Sequence, residues 1–301
     1  MYFFEATKKN YVSRGLYYRG FGLHSLNLPF MALKNAGSVI TENLSLYSEY
    51  LKRDVNIDCY IPILPGSSQE ISLLLINDGQ DLPKMPFDQL LDNLYTAGRI
   101  EPLFCVGIHC AADRKNEYGT AKVLDYKGRG AKAIAYNFFV MQELMPFLRK
   151  TYHIYSFREK AFAGFSLGGL SAIDMVWNQS EEFSRVGVFS GSLWWRDKDH
   201  EDGDFDEDVN RIMQKQIRQG VYRPWLKFFF EVGTLDETSD RNNNGIIDSI
   251  DDTRAVINEL EILGYQKPLS IYYLELQDGR HDVPTWAKAF PVFLEWGWGK
   301  G

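Results

Sequence analysis

The stretch that decides the fold is "FAGFSLGGLSAIDMVW", Phe162 to Trp177. A bare GxSxG pattern arises by chance in a glycine-rich chain, so its surroundings carry the reading. Lys160 to Ala163 reads as a short buried strand and the run from Leu167 as a helix, which puts Ser166 at the turn between them. A strand that turns directly into a helix strains the residue at the corner, and small neighbours at Gly164 and Gly168 avoid the clash. Such a turn projects the Ser166 hydroxyl beyond the sheet edge. The Leu167 N–H, at the helix start, would face any oxyanion forming there.

Outward from this corner, short apolar runs recur between helical stretches: 55–61, 71–76, 104–108, 160–163, 186–189, 227–232 and 269–276. That alternation predicts an α/β fold with a mostly parallel central sheet and helices on both faces. Helices are predicted over 133–149, with Pro146 near the end, over 252–263 before the Gly264 cap, and over 286–295 with Pro291 an awkward guest. With 301 residues, 45% of them hydrophobic, the chain can fill one large domain over 1–301. Residues 1–40 read as an aromatic, glycine-punctuated lead-in.

The net charge of −7 comes from interspersed acids and bases, which excludes the basic face a nucleic acid partner requires. No apolar run is long enough for a bilayer, so no membrane partner is expected. Cys59, Cys105 and Cys110 lack ligand spacing and read as small buried hydrophobes. Nothing points to an organic cofactor, and oligomeric state is not legible.

A serine nucleophile needs a base, and the base needs an orienting carboxylate. Of the five histidines, His281 directly follows the last strand candidate, where a base can reach back to Ser166. His109 ends the "FCVGIHC" strand and either lines the site or supports it from the core. His24, His153 and His200 fit poorly. The carboxylate is expected in the loop after the intervening strand, "KFFFEVGTLDETSD", where Asp236 is the first choice and Glu237 its rival. The chain order Ser166, Asp236, His281 is that of an α/β-hydrolase triad. A second oxyanion donor is expected in the turn of "LLLINDGQDL", from the N–H of Gln80 or Asp81.

Taken together, "INDGQDL", "DRKNEY", "AGFSLGGLSA", "FSGSLWW", "VGTLDE" and "GRHDVPTW" resemble the Putative esterase family of α/β-hydrolases, which includes esterase D, feruloyl, acetylxylan and enterochelin-type esterases. The resemblance implies a serine hydrolase that cleaves carboxylic esters of small molecules through an acyl-enzyme intermediate. It places Arg114 and Glu117 near the site mouth. Trp194 and Trp195 resemble the siderophore-esterase branch, with rings that either stack on an aromatic or sugar-bearing substrate or pack a loop. Acyl transfer to an alcohol stays open as a second chemistry, and a calcium-stabilised module without catalysis as a third reading.

A separate constellation follows Asp236. "DRNNNGIIDSID", 240–251, places Asp240, Asn242 and Asn244 at positions 1, 3 and 5, and Gly245 at the bend. The Ile246 carbonyl, Asp248 and Asp251 follow at positions 7, 9 and 12, the pattern of an EF-hand calcium loop. Asp251 stands where a longer glutamate usually closes the site, so weak Ca2+ binding is expected, or else an asparagine-rich turn without metal. A preceding strand instead of a helix suits a structural clip that rigidifies the loop carrying Asp236. Two signals on compartment oppose each other: no leader peptide is legible, whereas a weak calcium site suits periplasmic or extracellular calcium.

Overall fold

The computed structural model describes residues 38–63 and 71–300. His24 and nearly all of the 1–40 segment lie outside them. Eight strands form one sheet: β1 Val39–Ser48, β2 Arg53–Pro62, β3 Ser72–Asn77, β4 Leu103–Ile108, β5 Lys160–Phe165, β6 Arg185–Phe189, β7 Lys227–Leu235 and β8 Ile271–Arg280. Their order is β1-β2-β4-β3-β5-β6-β7-β8. The β1–β2 and β2–β4 pairs are antiparallel, and every pair from β4 to β8 is parallel.

Helices α1 Phe87–Thr96, α2 Arg114–Glu117, α3 Ala133–Phe138, α4 Met145–Tyr152, α5 Leu167–Asn178, α6 Glu207–Asn210, α7 Ile212–Arg218, α8 Asp248–Leu263 and α9 Val283–Trp298 connect the strands. Because strand side chains alternate between faces, two cores result. Leu73, Leu75, Phe162, Phe228 and Phe230 face α3, α4, α5, α7 and α8. Leu74, Ile76, Phe165, Phe189 and Phe229 face α1 and α9. No helix among the described residues is long and apolar enough to cross a membrane.

Three elements depart from the sequence reading. Strand β1 has no apolar run: Thr41, Glu42, Asn43 and Ser45 are exposed or only partly covered, and the strand is held by its ladder to β2 at the sheet edge. The helix predicted over 133–149 contains a π-helical segment, Phe139–Leu144. There the Met145 N–H bonds to the Val140 carbonyl, which shifts the ladder one residue before Pro146, whose missing N–H would have broken an α-helical bond. Helix α8 begins at Asp248, not Asp252, so the last four residues of the 240–251 segment form its first turn. Pro291 sits inside α9, and Asp282 caps that helix by accepting from Thr285 N–H at 3.0 Å.

The functional geography follows from strand order. Strand β3 lies between β4 and β5, so strand order reverses there, and the carboxyl ends of β3 and β5 form the switch-point crevice at which open α/β sheets bind ligands. The turn after β3 and the Ser166 corner form its two walls.

Candidate active site

Ser166 has φ 55° and ψ −122°, a conformation that L-residues rarely adopt, directly between β5 and α5. The glycines around it are required by space. A Cβ on Gly164 would collide with the Gly168 carbonyl, and one on Gly168 with the Asp78 carboxylate. The corner is tied to β6 by Ser166 N–H donating to Phe189 O at 2.8 Å and by Ser192 N–H donating to Ser166 O at 3.1 Å. Its hydroxyl lies 3.5 Å from the Ser192 hydroxyl.

The opposite wall is welded to this corner. Asn77 donates through Nδ2 to Gly168 O at 2.8 Å, and the Tyr136 hydroxyl donates to Asn77 Oδ1 at 2.5 Å. Arg114 grips Asp78 with two bonds of 2.7 Å and donates to the Phe165 carbonyl at 3.1 Å. Asp78 itself is left-handed, at φ 59°, which turns the chain so that Gln80 enters a short 3-10 helix, Gly79–Lys84. The N–H groups of Leu167 and Gln80 have no acceptor among the described residues. Asp81 N–H, the alternative donor, already bonds to Asp78 O at 2.9 Å.

On the other side of Ser166, Phe165 stacks on Trp286 with centroids 4.8 Å apart, and Trp286 meets the His281 ring edge-on at 5.5 Å. His281 Nδ1 lies 4.0 Å from Asp236 Oδ2, longer than a hydrogen bond. Catalytic contacts are often loose before substrate binds. Burial holds the His281 imidazole below its usual range, with the Arg114 charge acting the same way against the opposing pull of Asp236, so the ring favours its neutral, basic form. Burial also raises the Asp236 carboxyl, while Ser190 and His281 draw it back down. Ser190 accepts from Trp286 Nε1–H at 2.9 Å, which leaves the serine proton free to point toward Asp236. No sequence motif marks Ser190; its φ of 45° at the end of β6 is invisible in composition.

Of the sequence-predicted residues, Gln80, Ser166 with Leu167, Asp236 and His281 follow the carboxyl ends of the parallel strands β3, β5, β7 and β8, and it is Asp236, not Glu237, that approaches the imidazole. Two expectations are corrected. Glu117 is buried and bonded to Arg53 at 2.7 and 2.6 Å, a pair that staples α2 to β2 and leaves nothing for substrate. Trp195 is fully buried over the backbone of Gly119 and Gly130, so it packs a loop. Arg114 reaches the crevice, but its guanidinium is taken up by Asp78 and Phe165. His109 pairs with Asp58 at 2.8 Å across β2 and β4. Cys59 and Cys105 are buried, Cys110 is partly so, and all three are free.

Trp194 is placed differently from its neighbour. It lines a cavity of about 450 Å³ with Arg196, His200, Glu237, Asp240 and Arg241, next to the loop that carries Asp236. The Arg129 and Arg196 guanidinium groups lie 5.1 and 6.0 Å from the Trp194 ring. His200, a poor fit for the base, contributes to this wall.

In the 240–251 loop, the Asp240 carboxylate accepts from Asn244 N–H and Gly245 N–H at 3.1 and 2.9 Å. Asn242 and Asn244 both donate to Asp251 Oδ2, at 3.0 and 2.8 Å, so positions 1, 3, 5 and 12 converge. Position 9 does not: Asp248 accepts from Arg241 N–H at 2.9 Å and faces its guanidinium. Ile246 donates its N–H to Asn244 Oδ1 at 2.8 Å. Among the described residues no group of three or more His, Cys, Asp or Glu side chains is arranged to hold a metal ion, so any such site would depend on amide and carbonyl oxygens.

The profile of the family described as Putative esterase matches residues 48–296. Solved structures with the same fold include the enterobactin esterase from Shigella flexneri, at 21% identity and a TM-score of 0.65, aligned over 86% of this chain and 59% of the Shigella enzyme. The chain thus spans less than two thirds of that enzyme's length. A ferulic acid esterase aligns at 16% identity and TM-score 0.60 over 86% of this chain and 97% of its own. An IroE-like serine hydrolase from Shewanella oneidensis aligns at 17% identity and TM-score 0.62, over 85% and 79%.

Proposed function

The chain belongs to the Putative esterase family, and from that premise we propose that it is a serine hydrolase cleaving carboxylic esters through Ser166, His281 and Asp236. The observation that carries this reading is the strained Ser166 corner, held by glycines that tolerate no side chain and open to a crevice lined by unpaired N–H groups. In the proposed reaction Ser166 Oγ attacks the ester carbonyl while His281 takes its proton, and the N–H groups of Leu167 and Gln80 receive the oxyanion. The tetrahedral species expels the alcohol, protonated by His281, and leaves an acyl-serine. Water, deprotonated by His281, releases the acid and regenerates Ser166. Asp236 orients the imidazole and offsets its charge.

Aromatic esters are the substrates to try first. The enterobactin and ferulic acid esterases share this fold, and Trp194 with its flanking arginines offers a ring surface in the cavity next to the Asp236 loop. We also assign a weak calcium ion to the 240–251 loop, held by Asp240, Asn242, Asn244, Asp251 and the Ile246 carbonyl. The Asn242 and Asn244 carbonyl oxygens each keep a second lone pair beyond their backbone bond, which supports that donor set. Asp248 would join only by leaving Arg241.

The deciding experiment measures hydrolysis of p-nitrophenyl acetate and of methyl ferulate by wild type and Ser166→Ala, alongside fluorophosphonate labelling. Turnover and labelling by wild type alone support the reading. Equal rates in both proteins sink it. Added alcohol that captures the acyl group from ferulate would move the assignment to acyl transfer.

A further inference from the structure

Glu231 sits in β7 with 1% of its surface exposed, and neither of its carboxyl oxygens has a hydrogen-bond partner. Its register neighbours are Phe189 on β6 and Leu274 on β8. Phe229, on the same face, packs against Phe189 and Phe293. A carboxylate left alone among such groups is costly, and an apolar side chain of similar size would pack there at no such cost. Burial pushes the Glu231 carboxyl up to about 8, and the field of Asp236 adds to the effect. At neutral pH it is therefore a carboxylic acid with one proton to donate.

The charged group that acts on this carboxyl is Asp236. Residues two apart on a strand share a face, so Glu231 lies on the same side of β7 as Gly233. The Asp236 carboxylate folds back over Gly233, where a Cβ would stand 2.6 Å from Asp236 Oδ1. Both oxygens of Asp236 are buried without an aligned donor. Two buried carboxyls on one strand face, neither with a well-aligned donor, form an acid and carboxylate pair that can share one hydrogen bond.

We propose that Glu231 is a positioning residue that extends the triad to four members, its carboxyl donating O–H to the Asp236 carboxylate and so aiming Asp236 at His281. The proton stays on Glu231 throughout turnover. The inference rests on the triad reading above. Among charged groups, Asp236 is the one whose field reaches Glu231. His281 and Asp282, from the loop after β8, and Arg114, from α2, act on Asp236 or His281 instead. From β6 the face presents Phe189 and the Ser190 hydroxyl, and from α9 Trp286 and Phe293, none of them charged.

The test is the pH dependence of kcat and KM for p-nitrophenyl acetate in wild type, Glu231→Gln and Glu231→Leu. Wild type should lose kcat above pH 8, as Glu231 ionises and repels Asp236, with KM little changed. Glu231→Gln, which keeps a donor that cannot ionise, should lack this alkaline limb. Glu231→Leu should lower kcat about 10- to 100-fold at every pH, in the range of a displaced catalytic group. An alkaline limb in Glu231→Gln that superimposes on wild type overturns the inference, as does wild-type kcat in Glu231→Leu. If the leucine variant does not fold, the near-isosteric glutamine variant decides alone. Should wild type neither turn over nor label at Ser166, the triad reading falls and takes this inference with it; active wild type with unmoved variants removes the inference only.

Discussion

The two sides of the crevice are built differently. On the Ser166 side the geometry is fixed by backbone: glycines without room for a Cβ, a left-handed Asp78, and buried bonds from Asn77 and Arg114 that lock β3 to β5. On the Asp236 side it depends on side chains and a loop. His281 and Asp236 stand 4.0 Å apart, and four buried carboxyl oxygens, two on Asp236 and two on Glu231, have no aligned donor. The Ser166 corner is thus fixed by its backbone, whereas Asp236 and His281 lie farther apart than a hydrogen bond. Backbone constraints are cheap to keep rigid, while a buried carboxylate must be re-solvated by protein donors each time it is charged.

This contrast can be broken by substitution. The largest expected effect is Asp236→Asn, which keeps the shape but removes the charge that orients His281; kcat should fall about 10⁴-fold. Fluorophosphonate labelling of Ser166 would slow with it, and unaltered labelling would show that His281 needs no help from Asp236. Asp78→Asn tests the other wall. It breaks the buried pair with Arg114, and breaking such a pair costs about 3 kcal/mol. Thermal denaturation should show the loss directly, and an unchanged Tm would mean that the wall is held by the Asn77 and Tyr136 bonds alone.

Smaller effects sharpen the comparison. Ser190→Ala removes the hydroxyl between Trp286 and Asp236 and should cost kcat about 10-fold, consistent with one lost bond of about 1.4 kcal/mol, with KM steady. A change in KM instead would place Ser190 against substrate. Chelation should lower Tm and kcat only modestly and leave stability untouched in Asp240→Ala. A parallel fall in that variant would mean that the chelator acts elsewhere.

The acid limb gives the mildest test. Because the His281 pKa is lowered from 6.5, the imidazole stays neutral, and kcat/KM should hold, to a pH below 6.5. The same shift contributes stability that is present above pH 6.5 and lost as pH falls through the folded-state value. An acid limb above pH 6.5 would contradict the burial that lowers it.

Much of this site was legible from local sequence. The corner at Ser166 is local because the clash that Gly164 avoids is with the Gly168 carbonyl, four residues on, whereas Gly168 makes room for Asp78, far earlier in the chain. Asp236 and His281 are candidates in the sequence because parallel strands deliver their following residues to one sheet edge. Trp194 and Trp195 could not be told apart, since adjacent residues point to different surroundings and only the packing of Gly119 and Gly130 says which ring is buried. Glu117 is taken up by Arg53, 64 positions earlier, a partner that no local pattern reveals.

What the sequence alone determined is whatever short-range sterics and strand periodicity control: the strand-to-helix turn at Ser166, the alternation of strands with helices, and the chain order of the three candidate residues. What the tertiary structure alone decided is the state of the carboxyls. Glu231 reads as an ordinary polar residue in an apolar strand, and it becomes a neutral acid beneath Asp236 only when β6, β8 and α9 close over it. Burial and the field of a second charge are properties of the assembled interior, which no local run of residues carries.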